Sequence, residues 1–157
     1  EVGLGRDQSG TYLRLLELVY LTVELPAWAP SLSSRVTKRP MLHLVDSGLA
    51  ALTETFVVTE VIKQLGWSST LARALHYRTP DGAEVDLVLE AADGRVVAVE
   101  IKAGSRLTTA ATRGLVHLRD RLGDCFVAGL VLNTGSQAQR IGDRLSVAPV
   151  DQLWHTE

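Results

Sequence analysis

Only one cysteine, Cys125, occurs in 157 residues. No disulfide can form within the chain, which excludes a stapled small-domain scaffold and favours a reducing, cytoplasmic setting. The thiol falls in the apolar run CFVAGLVL, so a buried, inert side chain is expected. No apolar run reaches the ~18 residues of a spanning helix and no signal peptide is present, so no membrane span is expected. There is no internal repeat and no low-complexity segment. The pattern G-x-x-x-x-G-K-[ST] is absent, so no ATP site of that kind is expected. Charge of one sign does not dominate: 16 Lys and Arg stand against 18 Asp and Glu. That balance argues neither for nor against nucleic acid, because an acidic site can lie in a basic groove. The four histidines, His43, His76, His117 and His155, have no metal-ligand spacing and receive no role. The chain opens on EVGLGRDQSG without an initiator Met, and the expectation is a piece of a longer protein.

What is present suits one domain with a small appendage. Hydrophobic residues make up 46% of the chain, enough for a core. Residues 11–25 begin as a helix, with Leu13, Leu16, Val19 and Tyr20 at helical spacing and Ser9 or Thr11 as cap; YLTVEL then reads as a strand. Pro26 and Pro30 break the pattern, and SLSSRVTKRP supplies the basic residues Arg35, Lys38 and Arg39. MLHLVDSGL gives a short strand. Residues 49–66 read as a helix and LHYRTP as a strand, followed by the tight-turn pair Asp81-Gly82. Strands are expected over 84–90 and 95–102, a helix over 108–122, and strands over 125–133 and 144–149. Trp28, Trp67 and Trp154 read as packing residues. The order predicts an α/β fold with a mixed central β-sheet flanked by helices.

The stretch EVDLVLEAADGRVVAVEIKAG, residues 84–104, carries the chemistry. With Ala92, Asp93 and Gly94 as a three-residue loop, Asp86 faces Glu100 and Glu84 faces Lys102, all on one face. The other face, with Val85, Leu87, Leu89, Val97, Val99 and Ile101, is a core face. A solvated face would explain alternating charge, yet Val88 and Ala98 share it and are apolar. Opposed carboxylates repel, so a cation belongs between them: Lys102, or an oxygen-seeking Mg²⁺. The helix LTETFVVTEVIKQL adds Glu54, which falls among Val57, Val58, Val61 and Leu65. An acid there is costly unless paired or coordinated, or else it is a first-turn acid favoured by the helix dipole.

These residues resemble a known superfamily. Asp86 followed by Glu100-Ile101-Lys102 on a hairpin, behind a helix with an acid, is similar to the PD-(D/E)XK nuclease signature, with Val85 where the name has Pro. Together with YLRLLELVYLTVELPAW, LHLVDSGLAAL, ETFVVTEVIKQL, FVAGLVLNTG and DRLSVAPVDQLW, the chain resembles domain of unknown function 4143, which follows the P-loop domain of AAA+-type ATPases. Ala51 runs almost directly into Glu54, where members carry a longer stretch; this chain has lost a loop there or lacks its residues.

The resemblance implies a restriction-endonuclease-like core over 46–157 and a small winged-helix-like segment over 1–45. It implies that Asp86, Glu100 and Lys102 are catalytic and that Glu54, Asp86 and Glu100 hold Mg²⁺ or Mn²⁺, with the Ile101 carbonyl as a further oxygen. The metal would activate water for phosphodiester hydrolysis of DNA, and Lys102 would steady the phosphate. Glu84 and Arg78 would be accessory residues, and Arg35, Lys38 and Arg39 would contact nucleic acid. The expected partners are DNA and an N-terminal ATPase domain of the full-length chain; nothing indicates an oligomeric state. The competing reading is an inactive nuclease-fold module that binds DNA or protein and regulates the ATPase. It draws on helix 108–122, which has Arg113, His117, Arg119 and Arg121 but no Gln-x-x-x-Tyr.

Overall fold

The computed structural model describes residues 6–19, 21–31, 34–35, 38–44 and 53–154. Helix α1 (Arg6–Leu18) precedes a two-stranded antiparallel sheet of β1 (Thr22–Leu25) and β2 (Met41–Leu44). The chain then runs through α2 (Thr53–Leu65), β3 (Ala72–Arg78), β4 (Glu84–Ala91), β5 (Val96–Lys102), α3 (Thr109–Leu122), β6 (Phe126–Asn133), β7 (Gln139–Gly142) and β8 (Leu145–Pro149). The last six strands form one sheet in the order β3-β4-β5-β6-β8-β7. Neighbours β3, β4 and β5 are antiparallel, β5, β6 and β8 are parallel, and β7 is antiparallel on the edge. The sheet is therefore mixed, as the sequence predicts. Asp46, Ser47, Gly48 and the expected helix start at 49–52 lie outside the described residues. Among the described residues no helix is long and apolar enough to cross a membrane.

A parallel step from β5 to β6 needs a crossover, and α3 supplies it. Thr108 caps that helix by accepting the Ala111 N–H at 3.4 Å. Helices cover both faces of the sheet. Leu87, Val99 and Ile101 pack with Val57, Val58 and Val61 of α2. Val88, Val96 and Ala98 pack with Ala111, Leu115 and Leu118 of α3. The second set explains why Val88 and Ala98 are apolar on a face that also carries charge.

Val85 corrects the strict alternation. It packs on the α3 face with Val88, not with Leu87. The β3–β4 pairing passes from Leu75↔Val88 to Tyr77↔Val85. Asp86 and Leu87 thus oppose His76 alone. This is a bulge, and counting by twos back across it puts Val85 on the wrong face while Leu87 and Leu89 stay where alternation sets them.

The N-terminal segment is tied to the edge of the sheet. Ala27 bridges His76 in parallel, Trp28 N–H bonds the His76 carbonyl at 2.6 Å, and His76 N–H bonds the Pro26 carbonyl at 2.9 Å. Trp28 is buried in the α3-side core, edge-on to Tyr77 at 5.7 Å. Trp67, by contrast, is 75% exposed and not core, because it follows the end of α2 in a turn. Trp154 is half exposed and covers Phe56 at 5.7 Å. Cys125 is also exposed, not buried: it ends the short 3-10 turn Gly123–Cys125, and the buried strand starts one residue later at Phe126.

Candidate functional site

The hairpin is zipped at one end and open at the other. Its loop forms as the spacing predicts: Gly94 N–H bonds the Ala91 carbonyl at 3.0 Å and Ala91 N–H bonds the Arg95 carbonyl at 2.9 Å. Gly94 holds φ 83°, a conformation that suits a residue without a β-carbon. The strands pair from Glu90↔Val96 to Leu87↔Val99 in the expected register. There the pairing stops. The direct opposition of Asp86 and Glu100 is not part of the ladder, because the β4 bulge carries β4 away from β5. The Asp86 carboxylate replaces the missing strand: Oδ2 accepts the Ile101 N–H at 2.7 Å. In an extended strand the N–H and C=O of one residue point to the same side, so the Ile101 carbonyl faces this gap too. On its far side β5 stays paired with β6 as far as Lys102↔Asn133.

Asp86 and Glu100 are 7% and 6% exposed. Lys102 Nζ lies 2.6 Å from Glu100 Oε1, while Glu100 Oε2 is buried without a hydrogen-bond partner. Burial, then the charge of Asp86, pushes the Glu100 carboxyl up to about 7 in spite of the bond from Lys102. Burial also raises Asp86, against the pull of the Ile101 N–H and Lys102. Burial pulls the Lys102 ammonium down, but its bond to Glu100 and the charges of Glu100, Asp86 and Glu54 outweigh this and leave it raised. The ion pair alone would move Glu100 down and Lys102 up. Glu100 moves the other way because desolvation and a second carboxylate exceed one half-exposed ammonium.

Glu54 lies in the first described turn of α2, where the dipole favours an acid. Burial raises its carboxyl, and Asp86 and Glu84 raise it further. It therefore belongs electrostatically to the same cluster. Glu84 pairs with Arg78 at 3.8 Å rather than with Lys102.

The donors suit a hard divalent ion of one type. Glu100 Oε2 is an orphan oxygen, and Asp86 keeps Oδ1 outside the Ile101 bond. Mg²⁺ is commonly held by one or two carboxylates, with water and substrate phosphate completing its shell. Among the described residues no group of three or more His, Cys, Asp or Glu is placed to hold a metal.

The basic residues divide. Arg35 turns inward: its guanidinium bonds both Glu90 oxygens at 2.7 Å, its Nε bonds the Ala29 carbonyl at 2.6 Å, and it lies 5.8 Å over the Trp28 ring. It is a structural residue, corrected from a nucleic-acid contact, because a bidentate pair leaves no fork for a phosphate. Lys38 and Arg39 are exposed.

Two residues were not expected. Gly114 lies in mid-α3, where a β-carbon would come within 1.8 Å of the Glu84 carbonyl oxygen. The helix backbone thus rests on the first residues of β4 and fixes the approach to Asp86. A glycine interrupting a helical pattern was the available signal. Asn133 is buried beside Lys102; its side chain accepts the Gly135 N–H at 2.9 Å and donates to the Ser105 carbonyl at 3.4 Å. Thr134 donates to the Ala103 carbonyl at 3.0 Å, so the loops after β5 and β6 are joined at the site.

The family model described as Domain of unknown function (DUF4143) matches residues 49–153, well over half of the chain. The chain belongs to this family. Every residue of the cluster, from Glu54 to Lys102, falls inside the DUF4143 match. A second model, also described as a domain of unknown function (DUF8612), matches residues 1–60 and so takes in α1, β1 and β2. No curated protein and no solved structure matches the chain.

Proposed function

We propose that this chain is a nuclease-like domain that hydrolyses phosphodiester bonds of DNA with Mg²⁺ or Mn²⁺. The observation that carries the reading is the parted end of the hairpin. There, two buried carboxylates, one with an orphan oxygen, meet an ammonium and an unpaired edge of β5. Asp86 and Glu100 would hold the ion, which when bound would activate a water and offset charge on the attacked phosphate. Asp86 orients the Ile101 peptide. Lys102 holds Glu100 in place and, at 42% side-chain exposure, can also reach a phosphate oxygen. Glu54, which feels the charge of Asp86, would stand beside the ion as a direct or outer ligand. In this reading the mixed sheet is a restriction-endonuclease-like core, α1 with β1 and β2 is a winged-helix-like segment, and the full-length protein carries a P-loop ATPase ahead of it.

The test is incubation of the purified protein with Mg²⁺ or Mn²⁺ and branched, single-stranded or duplex DNA. Cutting that Asp86→Asn and Glu100→Gln abolish is expected. Absence of cutting on every substrate, or cutting by both variants at the wild-type rate, would end the nuclease reading. The second reading is an inactive nuclease-fold module that binds DNA or protein and regulates the ATPase. It is favoured by the Lys102–Glu100 pair, which already neutralises part of the acid cluster. Calorimetric titration with Mn²⁺ separates the two, since only an intact site binds the ion and loses it in Asp86→Asn.

A further inference from the structure

The six-stranded sheet ends at β3 on one side. The hairpin loop fixes which backbone groups of β3 face outward. Ala91 commits both its N–H and its carbonyl to that loop, bonding the Arg95 carbonyl and the Gly94 N–H. Its Cα partner Ala72 therefore points its own N–H and carbonyl away from β4, as the alternation of an antiparallel ladder requires. Parity puts Ala74 and His76 with it. The outward groups of His76 are taken by Pro26 and Trp28. That segment cannot continue the ladder, because Pro26 has no N–H for the Ala74 carbonyl. The residues before it leave to pair as β1 with β2. Among the described residues nothing bonds the outward backbone groups of Ala72 and Ala74.

Cavities flank this open edge on both faces of the sheet. On the α2 face a cavity of about 330 Å³ reaches from Ala72 across Leu89 and Val97 to Val127. On the other face a cavity of about 540 Å³ is lined by the exposed Leu71 and Arg73. Arg73 makes no ion pair among the described residues: Glu90, its partner across the ladder, is held by Arg35. A strand added at this edge would send alternate side chains toward the two cavities. The residue opposite Arg73 would be an acid, and its two neighbours would be apolar. A second copy of this chain does not suit the edge. Two copies paired antiparallel through Ala72 and Ala74 would set Arg73 against its twin, and like charges directly opposed repel.

We infer that the edge of β3 at Ala72 and Ala74 docks an extended segment of a partner protein with the pattern apolar–acid–apolar. The segment adds a further strand to the sheet. Its main chain bonds Ala72 and Ala74, its acid meets Arg73, and an apolar side chain enters the cavity beneath the end of α2. This edge lies away from the candidate centre. Ala72 is opposite Ala91, the last residue of β4, and Asp86 is five residues back, roughly 17 Å along an extended strand. A docked partner therefore leaves the acid cluster open, and the inference does not depend on the hydrolase reading.

The experiment follows backbone amide resonances of the isotope-labelled protein during titration with the peptide Ser-Val-Asp-Val-Ser, capped at both ends. The amides of Ala72 and Ala74 are expected to shift, and those of Asp86 and Ile101 to stay. Arg73→Glu changes an exposed side chain and should weaken this peptide about fivefold, the worth of one exposed ion pair. It should also make Ser-Val-Lys-Val-Ser the tighter ligand. A peptide methylated on the nitrogens of both valines lacks the donors for the ladder and should not bind. Unmoved Ala72 and Ala74 amides, equal binding by wild type and Arg73→Glu, or undiminished binding of the methylated peptide overturns the inference. So does a concentration-dependent shift of the same amides without peptide, which would put a second copy on the edge. The dispersion of the remaining resonances shows whether the variant is folded.

Discussion

The Asp86 carboxylate stands in for a strand: it takes the Ile101 N–H at 2.7 Å where β4 and β5 part. The proposed hydrolysis would give the same side chain a second duty, and substitutions separate the two. Asp86→Ala leaves a buried amide without a partner and is expected to cost about 1–3 kcal/mol in urea unfolding. Asp86→Asn keeps an acceptor oxygen and should cost less than half of that. Both should abolish cutting. Equal stability loss in the two variants would show that the Ile101 bond contributes nothing.

Glu100 makes stability depend on pH in a definite direction. Its carboxyl is pushed from 4.5 up to about 7 in the folded protein. Between those values the folded state binds more protons than the unfolded one. Stability from this group is thus complete below pH ~4.5, declines as pH rises through the window, and levels off above about 7. The full effect is on the order of 3 kcal/mol. Glu100→Gln should flatten the curve of unfolding free energy against pH. Mg²⁺ binds the charged form, so it should raise the melting temperature more at about pH 8 than at about pH 5.

Gly114 is expected to refuse a methyl group. In an open helix, glycine to alanine gains about 1 kcal/mol. Here the added carbon would fall 1.8 Å from the Glu84 carbonyl oxygen. Gly114→Ala should cost about 3 kcal/mol by overpacking and lower any metal affinity, because the start of β4 moves. A stabilised variant in thermal melts would contradict the close approach.

The Arg35–Glu90 pair fastens the N-terminal segment to β4. Its arms are 14% and 15% exposed, so it is neither a surface pair nor fully buried. Arg35→Ala should cost about 2 kcal/mol, below the range for wholly buried pairs. The Arg35 bond holds the Glu90 carboxyl below its ordinary range. The stability it gives is therefore present above pH ~4.5 and fades as pH falls through the depressed value.

The sequence carried the hairpin well and its neighbourhood less well. Register and loop follow from Asp93-Gly94 and from alternation, which are local rules. The bulge at Asp86-Leu87 is not local: it arises from how β3 lies against β4, and nothing in the residues 84–88 announces it. Val85 was misplaced for that reason, and Asp86 was set opposite Glu100 when it in fact bonds the next peptide. Arg35 misled for a similar reason. A basic loop reads as solvated until a glutamate 55 residues away meets it. Cys125 lay one residue outside an apolar run whose content was right and whose edge was not. Strand β7 is short and lies at the sheet edge, with too few apolar residues to alternate.

The double duty of Asp86 also limits how this sequence can drift. A descendant that no longer needed the proposed chemistry could shed Glu100 and Lys102 together with little harm to the sheet. At position 86 it would still need an oxygen for the Ile101 amide. Asparagine, not alanine or valine, is the residue to expect there in a relative that has kept the fold and given up the reaction. Under the proposed hydrolysis, position 86 would be a sequence-level marker separating cutting from non-cutting relatives.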